Sequence, residues 1–207
     1  MKTVKDSCVL QDNALELRVS DAIEQLDELI SGEGDGAAFF DKTFITQGMK
    51  TLITEGMQRL ASKSNQGVFH LKQAMGGGKT HLLVGLGLLA KHPGLRKKYC
   101  PDVSYGEEFG IAKVAAFNGR NSPNHFLWGE TAEQLGKPGQ FTDFWANGPK
   151  APDEKDWLQL FDKGPILILL DEMPPYFHYL ATQKVGAGTV ADIATRAFAN
   201  MLSAAGK

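Results

Sequence analysis

The residues with the most chemistry to offer are Gly76-Gly77-Gly78-Lys79-Thr80-His81. Consecutive glycines let successive backbone N–H groups curl inward and form a nest for an anion. A helix starting at Lys79 would add its unpaired N–H groups and the positive end of its dipole. The Lys79 ammonium can reach the β- and γ-phosphates of a nucleotide, and the Thr80 hydroxyl can ligate Mg²⁺. Ala74, Met75, Gly76, Gly77, Gly78, Lys79, Thr80 and His81 are therefore the candidate phosphate-binding residues, with Lys79 also assigned a catalytic part. A full G-x-x-x-x-G-K-[ST] motif has a further glycine where Gln73 stands, so the entry to this loop departs from the pattern. His81 is expected to pack or to lend a hydrogen bond rather than to catalyse.

A second group of chemically capable residues closes Pro165-Ile166-Leu167-Ile168-Leu169-Leu170-Asp171-Glu172. A continuous apolar run between Gly164-Pro165 and Pro174-Pro175 fits a parallel strand buried on both faces. Ligands of open α/β sheets bind at the carboxyl ends of strands, which brings Asp171 and Glu172 toward the glycine-rich loop. Asp171 is expected to hold Mg²⁺, usually through water. Glu172 is expected to orient and deprotonate an attacking water. Taken alone, the run also describes a core strand capped by two solvated acids; its combination with Lys79-Thr80 favours a site.

These groups need a sheet and helices to hold them. Val68-Phe69-His70-Leu71-Lys72 reads as a buried strand feeding the loop, and Ile111–Phe117 as another strand ending in Asn118-Gly119-Arg120-Asn121. Arg120 is read as a solvated side chain, with a nucleotide or a neighbouring subunit as the alternative contact. Thr46 is placed to N-cap a helix running to about Ser62. The helix after the loop is apolar nearly all round, so it should be buried, and His92-Pro93-Gly94 should end it. Residues 94–110 read as a charged loop, with Arg96-Lys97-Lys98 as a solvated helix end. Helices are further expected over Pro123–Leu135, Asp156–Phe161 and Tyr176–Ala181, and from Val190 to about Ala204 behind a Thr189/Asp192 capping box. Phe141, Phe144, Trp145, Trp157 and Phe161 are expected in the core.

Composition narrows the options. The chain has 207 residues, enough for one α/β domain with an appendage, and 43% hydrophobic content supports a core. The predicted organisation is an N-terminal helical extension and linker over 1–36 and an α/β core over 37–207. A net charge of −2 gives no overall electrostatic case for nucleic acid. No apolar run approaches a membrane span, and Met1–Asp6 lacks a signal-peptide core. Two cysteines make no disulfide framework, so a reducing cytoplasm is the expected compartment.

The order of these motifs resembles an AAA+ P-loop ATPase. More narrowly, the chain resembles the N-terminal ATPase region of a large uncharacterised, domain-of-unknown-function family found in prokaryotic phage-defence islands. The stretches that carry this are Ala38-Phe39-Phe40-Asp41-Lys42-Thr43, Phe69-His70-Leu71 leading to Gly76–His81, His125-Phe126-Leu127-Trp128-Gly129-Glu130 with Gln134-Leu135-Gly136, and Leu170-Asp171-Glu172. The resemblance spans most of 37–205, and Gln73 in place of the first glycine is shared with that family. It implies ATP and Mg²⁺ as ligands, DNA-modifying or helicase proteins as possible partners, and self-association or other subunits of a larger complex. The choice of ATP over GTP rests on the resemblance alone.

Three functions compete at this level: an Mg²⁺-dependent ATPase module, a nucleotide-binding switch that does not hydrolyse, and a small-molecule kinase. Kinases of that kind usually lack an Asp-Glu pair after a long apolar strand, which favours the first two. In ATPases carrying that pair, the loop strand and the aspartate strand are separated by a further strand that follows in sequence. That strand, the arginine finger and the lid are expected beyond residue 207. The expected sheet therefore has three parallel strands near 68–72, 111–117 and 165–170, with an open slot between the first and third. Such a piece should recruit another segment or chain to the slot or be poorly stable, and should bind nucleotide weakly.

Overall fold

A computed structural model describes Leu26 and residues 36–72, 78–103, 109–121, 124–161 and 164–207. The N-terminal extension expected before residue 36 lies outside the described residues, except for the helical, buried Leu26. So does the start of the glycine-rich loop, Gln73 to Gly77.

The elements run α1 (Gly36–Asp41), α2 (Gln47–Leu60), α3 (Lys79–Lys91), α4 (Pro93–Tyr99), β1 (Lys113–Asn118), α5 (Phe126–Gln134), α6 (Pro138–Phe141), a 3₁₀ turn (Thr142–Phe144), α7 (Glu154–Leu160), β2 (Ile166–Asp171), α8 (Met173–Ala181), a two-residue hairpin β3 (Lys184–Val185) and β4 (Gly188–Thr189), and α9 (Val190–Ala205). β1 and β2 pair in parallel, with Lys113 opposite Ile166 and Asn118 opposite Asp171. The fold is thus α/β around a small parallel sheet of two strands.

Alternate strand residues feed opposite sides, because successive side chains of a strand point to opposite faces. Ala116 and Leu169, with Val114 and Leu167, join a core made by α1 to α4. Ala115 and Phe117, with Ile166, Ile168 and Leu170, join a second core made by α5 to α9. The sheet is a partition between two apolar layers, which is why β2 reads as an unbroken apolar run. Trp128, Phe141 and Trp157 are fully buried in the second layer, while Phe144, Trp145 and Phe161 pack against it, as their composition predicts.

The caps follow the side-chain chemistry. Thr46 accepts a hydrogen bond from the Met49 amide at the start of α2. Thr189 and Asp192 bond reciprocally at the start of α9. Pro174 and Pro175 sit in the first turn of α8, where a missing N–H costs nothing.

Two expectations are corrected. The segment 68–72 is not a strand. Phe69 and Leu71 pack into the first core while Val68, His70 and Lys72 face outward, so it is extended and half-buried rather than enclosed. Among the described residues no strand lies beside it, and a ladder needs a partner. The second correction is at 94–99, expected as part of a loop over 94–110. Pro93 ends α3 and opens α4. Arg96 is buried there, donating to the carbonyls of Leu89 (2.6 Å), Ala90 (3.1 Å) and Gly110, with Phe109 against its guanidinium. It closes the carbonyl end of α3 and ties it to the entry of β1, so it is structural and not a solvated end.

Candidate functional site

The carboxyl ends of β1 and β2 and the amino end of α3 converge. α3 begins behind Gly78, whose left-handed backbone (φ 74°) is available to glycine without strain and turns the chain into the helix. Lys79 and Thr80 form the first turn. Asp171 ends β2 and is buried. The Thr80 hydroxyl donates to Asp171 Oδ2 at 2.5 Å, joining residues 91 apart in sequence. The other Asp171 oxygen accepts the Glu172 amide at 2.9 Å. The carboxylate is therefore held from two sides and faces the start of α3.

Glu172 has φ 51° and ψ 38°, the left-handed region, and stands as the cap of α8. A non-glycine residue held there costs on the order of 1 kcal/mol or more, and such outliers gather at functional positions. The bend turns the Glu172 side chain out of the strand line, so that it is partly exposed while Asp171 is buried. Glu172 Oε1 lies 3.4 Å from Arg120 Nη2. The Arg120 amide is fixed by Asn118 Oδ1 at 3.0 Å, and the Gly119 amide donates to the Asp171 carbonyl at 2.9 Å. The loop after β1 is thereby pinned against the end of β2. Arg120, read from sequence as solvated, keeps two-thirds of its side chain exposed but is directed at Glu172.

His81 turns the other way. Its ring stacks on Phe39 (4.4 Å between centroids, 26° between planes) and its Nε2 lies 2.9 Å from Thr43 Oγ1. Thr43 spends its single O–H on the Phe39 carbonyl at 2.7 Å. The hydroxyl oxygen can then only accept from the ring, which places the proton on Nε2. His81 joins α1 to α3 and leaves its backbone to the amino end of the helix. In sequence the Phe39–Thr43 stretch stands out by its resemblance to the family; nothing in its spacing announces that it holds the residue after Thr80.

The arrangement offers hard oxygen donors, the Thr80 hydroxyl and the Asp171 carboxylate, in contact at a helix amino end, with a second carboxylate beside them. Oxygen donors of this kind suit Mg²⁺. Ala74, Met75, Gly76 and Gly77, the remaining candidates for phosphate contact, lie outside the described residues.

Residues 4–116 match the family described as the DUF499 N-terminal domain, more than half of the 207 residues. The chain belongs to the DUF499 N-terminal domain family. The matched stretch includes α1 to α3 with Lys79, Thr80 and His81 and ends within β1; Asp171 and Glu172 follow it in the DUF499 chain. No curated protein and no solved structure matches the chain. Among the described residues no helix is long and apolar enough to cross a membrane.

Proposed function

We propose that this chain is the nucleotide-binding module of an Mg²⁺-dependent P-loop ATPase of the AAA+ kind, converting ATP and water to ADP and phosphate. The observation that carries the reading is the Thr80–Asp171 hydrogen bond. The sequence points to both residues as metal-holding on separate grounds, and they meet. The parallel pairing of β1 with β2 is in keeping with such an ATPase, while 68–72, which is not a strand, adds nothing to the strand order.

On this reading the amino end of α3 receives the β- and γ-phosphates and the Lys79 ammonium offsets their charge. Thr80 and Asp171 hold Mg²⁺ directly or through water; the ion, when bound, supplies charge neutralisation at the phosphates. Glu172 accepts a proton from water as the water oxygen bonds to the γ-phosphorus, and the bond from that phosphorus to the bridging oxygen breaks to release ADP. By the family resemblance, the module would act within a larger assembly, beside DNA-modifying or helicase proteins.

A second reading, a nucleotide-responsive switch without turnover, is favoured by one feature: Arg120 Nη2 lies 3.4 Å from one oxygen of the carboxylate that hydrolysis needs.

The first test is thermal. A ligand that binds only the folded chain stabilises it by RT ln(1 + [L]/Kd), about 2.7 kcal/mol at a hundredfold excess over Kd. ATP with Mg²⁺ is expected to raise the melting temperature by several degrees, and EDTA to remove most of that rise. GTP run alongside reports base preference. The same melting temperature with and without every nucleotide would overturn the proposal.

A further inference from the structure

The stretch His125–Gly136 takes no part in the site above, yet it carries an organised polar cluster. His125 precedes α5, and Glu130 and Glu133 lie three residues apart on that helix, sharing a face. His125 Nε2 is 2.9 Å from Glu130 Oε2 and 3.2 Å from Glu133 Oε2, and the three ligand atoms lie within 4.8 Å of one another. His125 and Glu130 are about three-quarters buried and Glu133 opens to solvent.

The cluster is positioned from outside itself. Gln134 Nε2 donates to Glu130 Oε1 at 2.6 Å. The same Gln134 bonds the outer edge of β1, accepting from the Ala116 amide at 2.7 Å and donating to its carbonyl at 2.9 Å. One oxygen of Glu130 is thus anchored to the sheet, and the other is turned to His125. The imidazole has a seat cut for it. A Cβ at Gly129 would stand 2.7 Å from His125 Cβ, 2.9 Å from its Cδ2 and 3.0 Å from Trp145 Cδ1, and the Trp145 ring lies 5.5 Å from the imidazole between centroids. The Trp128-Gly129-Glu130 sequence then has a physical account: a buried indole, room for a histidine, and a carboxylate aimed at it.

We propose that His125 Nε2, Glu130 Oε2 and Glu133 Oε2 are the protein ligands of a divalent first-row cation, zinc being the best-fitting class. One imidazole nitrogen and two carboxylate oxygens are a donor set zinc accepts, with a fourth position left to water. Ligand atoms bound at about 2.0–2.1 Å around a tetrahedral ion stand about 3.3 Å apart, and the two spacings from His125 Nε2, 2.9 and 3.2 Å, are close to that value. Two carboxylates and a neutral imidazole supply the charge that offsets a dication. The Gln134 contact is the kind of outer-shell support that orients ligating carboxylates. A bound ion would lock the start of α5, the helix reached from the Asn118–Arg120 loop.

The test uses the full chain with Cys8→Ser and Cys100→Ser, stripped with EDTA and desalted, titrated with Zn²⁺ by calorimetry and with Co²⁺ by visible absorption. One equivalent is expected, with the d–d bands of low-coordinate Co²⁺. Glu133→Gln, at an exposed position that does not threaten folding, should weaken binding at least tenfold, and His125→Ala should abolish it. Gln134→Ala should weaken it about 10–100-fold. No saturable binding, or unchanged binding by Glu133→Gln, would overturn the proposal and leave the cluster a histidine–carboxylate hydrogen-bonded contact. Neither result bears on nucleotide binding.

Discussion

Glu172→Gln is expected to bind Mg²⁺ and ATP as the parent chain does while releasing phosphate about 10²-fold more slowly or worse, the usual contribution of a positioned general base. The amide has the size of the carboxylate and tolerates the same left-handed backbone, so the end of β2 keeps its shape. The Asp171 carboxylate still accepts the backbone amide of residue 172, and the Thr80 contact is untouched. Losing the Arg120 partner costs little, since a pair this exposed and 3.4 Å apart contributes about 0–1 kcal/mol. The prediction is checked by phosphate release under single turnover beside a binding titration. Equal release by variant and parent, with binding retained, would favour the switch reading over the hydrolytic one.

Gly119→Ala is expected to cost about 3 kcal/mol of stability, or roughly 6–12 °C in melting temperature for a chain this long. The added methyl would stand 2.2 Å from the Glu172 carbonyl oxygen and 2.9 Å from Tyr176 Cβ. The first is a backbone atom that no rotamer change removes. Relief requires the loop after β1 to lift from the end of β2, which breaks the Gly119–Asp171 bond and disturbs both carboxylates at once. Nucleotide affinity should therefore fall together with stability. Gly139→Ala, at a helical position that meets nothing within 4 Å, is the control and should not destabilise, gaining up to about 1 kcal/mol. Calorimetric melting of the two variants checks the pair.

The parts of this fold legible in sequence are those set by local chemistry. β2 announces itself because both faces pack against apolar layers, so every residue from Ile166 to Leu170 is apolar. The caps at Thr46 and Thr189 need only a side chain and an amide three residues on. The Thr80–Asp171 encounter was legible because the carboxyl end of a parallel strand is where an α/β sheet gathers ligands. What failed depended on partners distant in sequence. Phe69 and Leu71 alternate as a strand would, but strand status needs a neighbour's backbone, which the segment's own residues do not encode. Arg96 stands in a cationic triplet that reads as solvated; its burial depends on main-chain carbonyls at Leu89, Ala90 and Gly110 that no side-chain pattern reveals. The His125 cluster was hidden for a similar reason. His125 lies before the helix, next to a left-handed Phe126 (φ 59°), and its five-residue separation from Glu130 matches no helical spacing.

The central claim is that the amino end of α3 binds nucleotide phosphates, and calorimetric titration of ATP with Mg²⁺ into the parent chain and into Lys79→Ala tests it most directly. Lys79 opens α3, one residue before the hydroxyl that reaches Asp171. Removing its ammonium leaves the triphosphate charge without its main protein counterion. Because the side chain lies at a partly exposed helix start, the fold should survive the change, and unchanged far-ultraviolet circular dichroism establishes that it has. The account predicts saturable heat for the parent chain and none for Lys79→Ala. Equal binding by the two, or no binding by either, would contradict it.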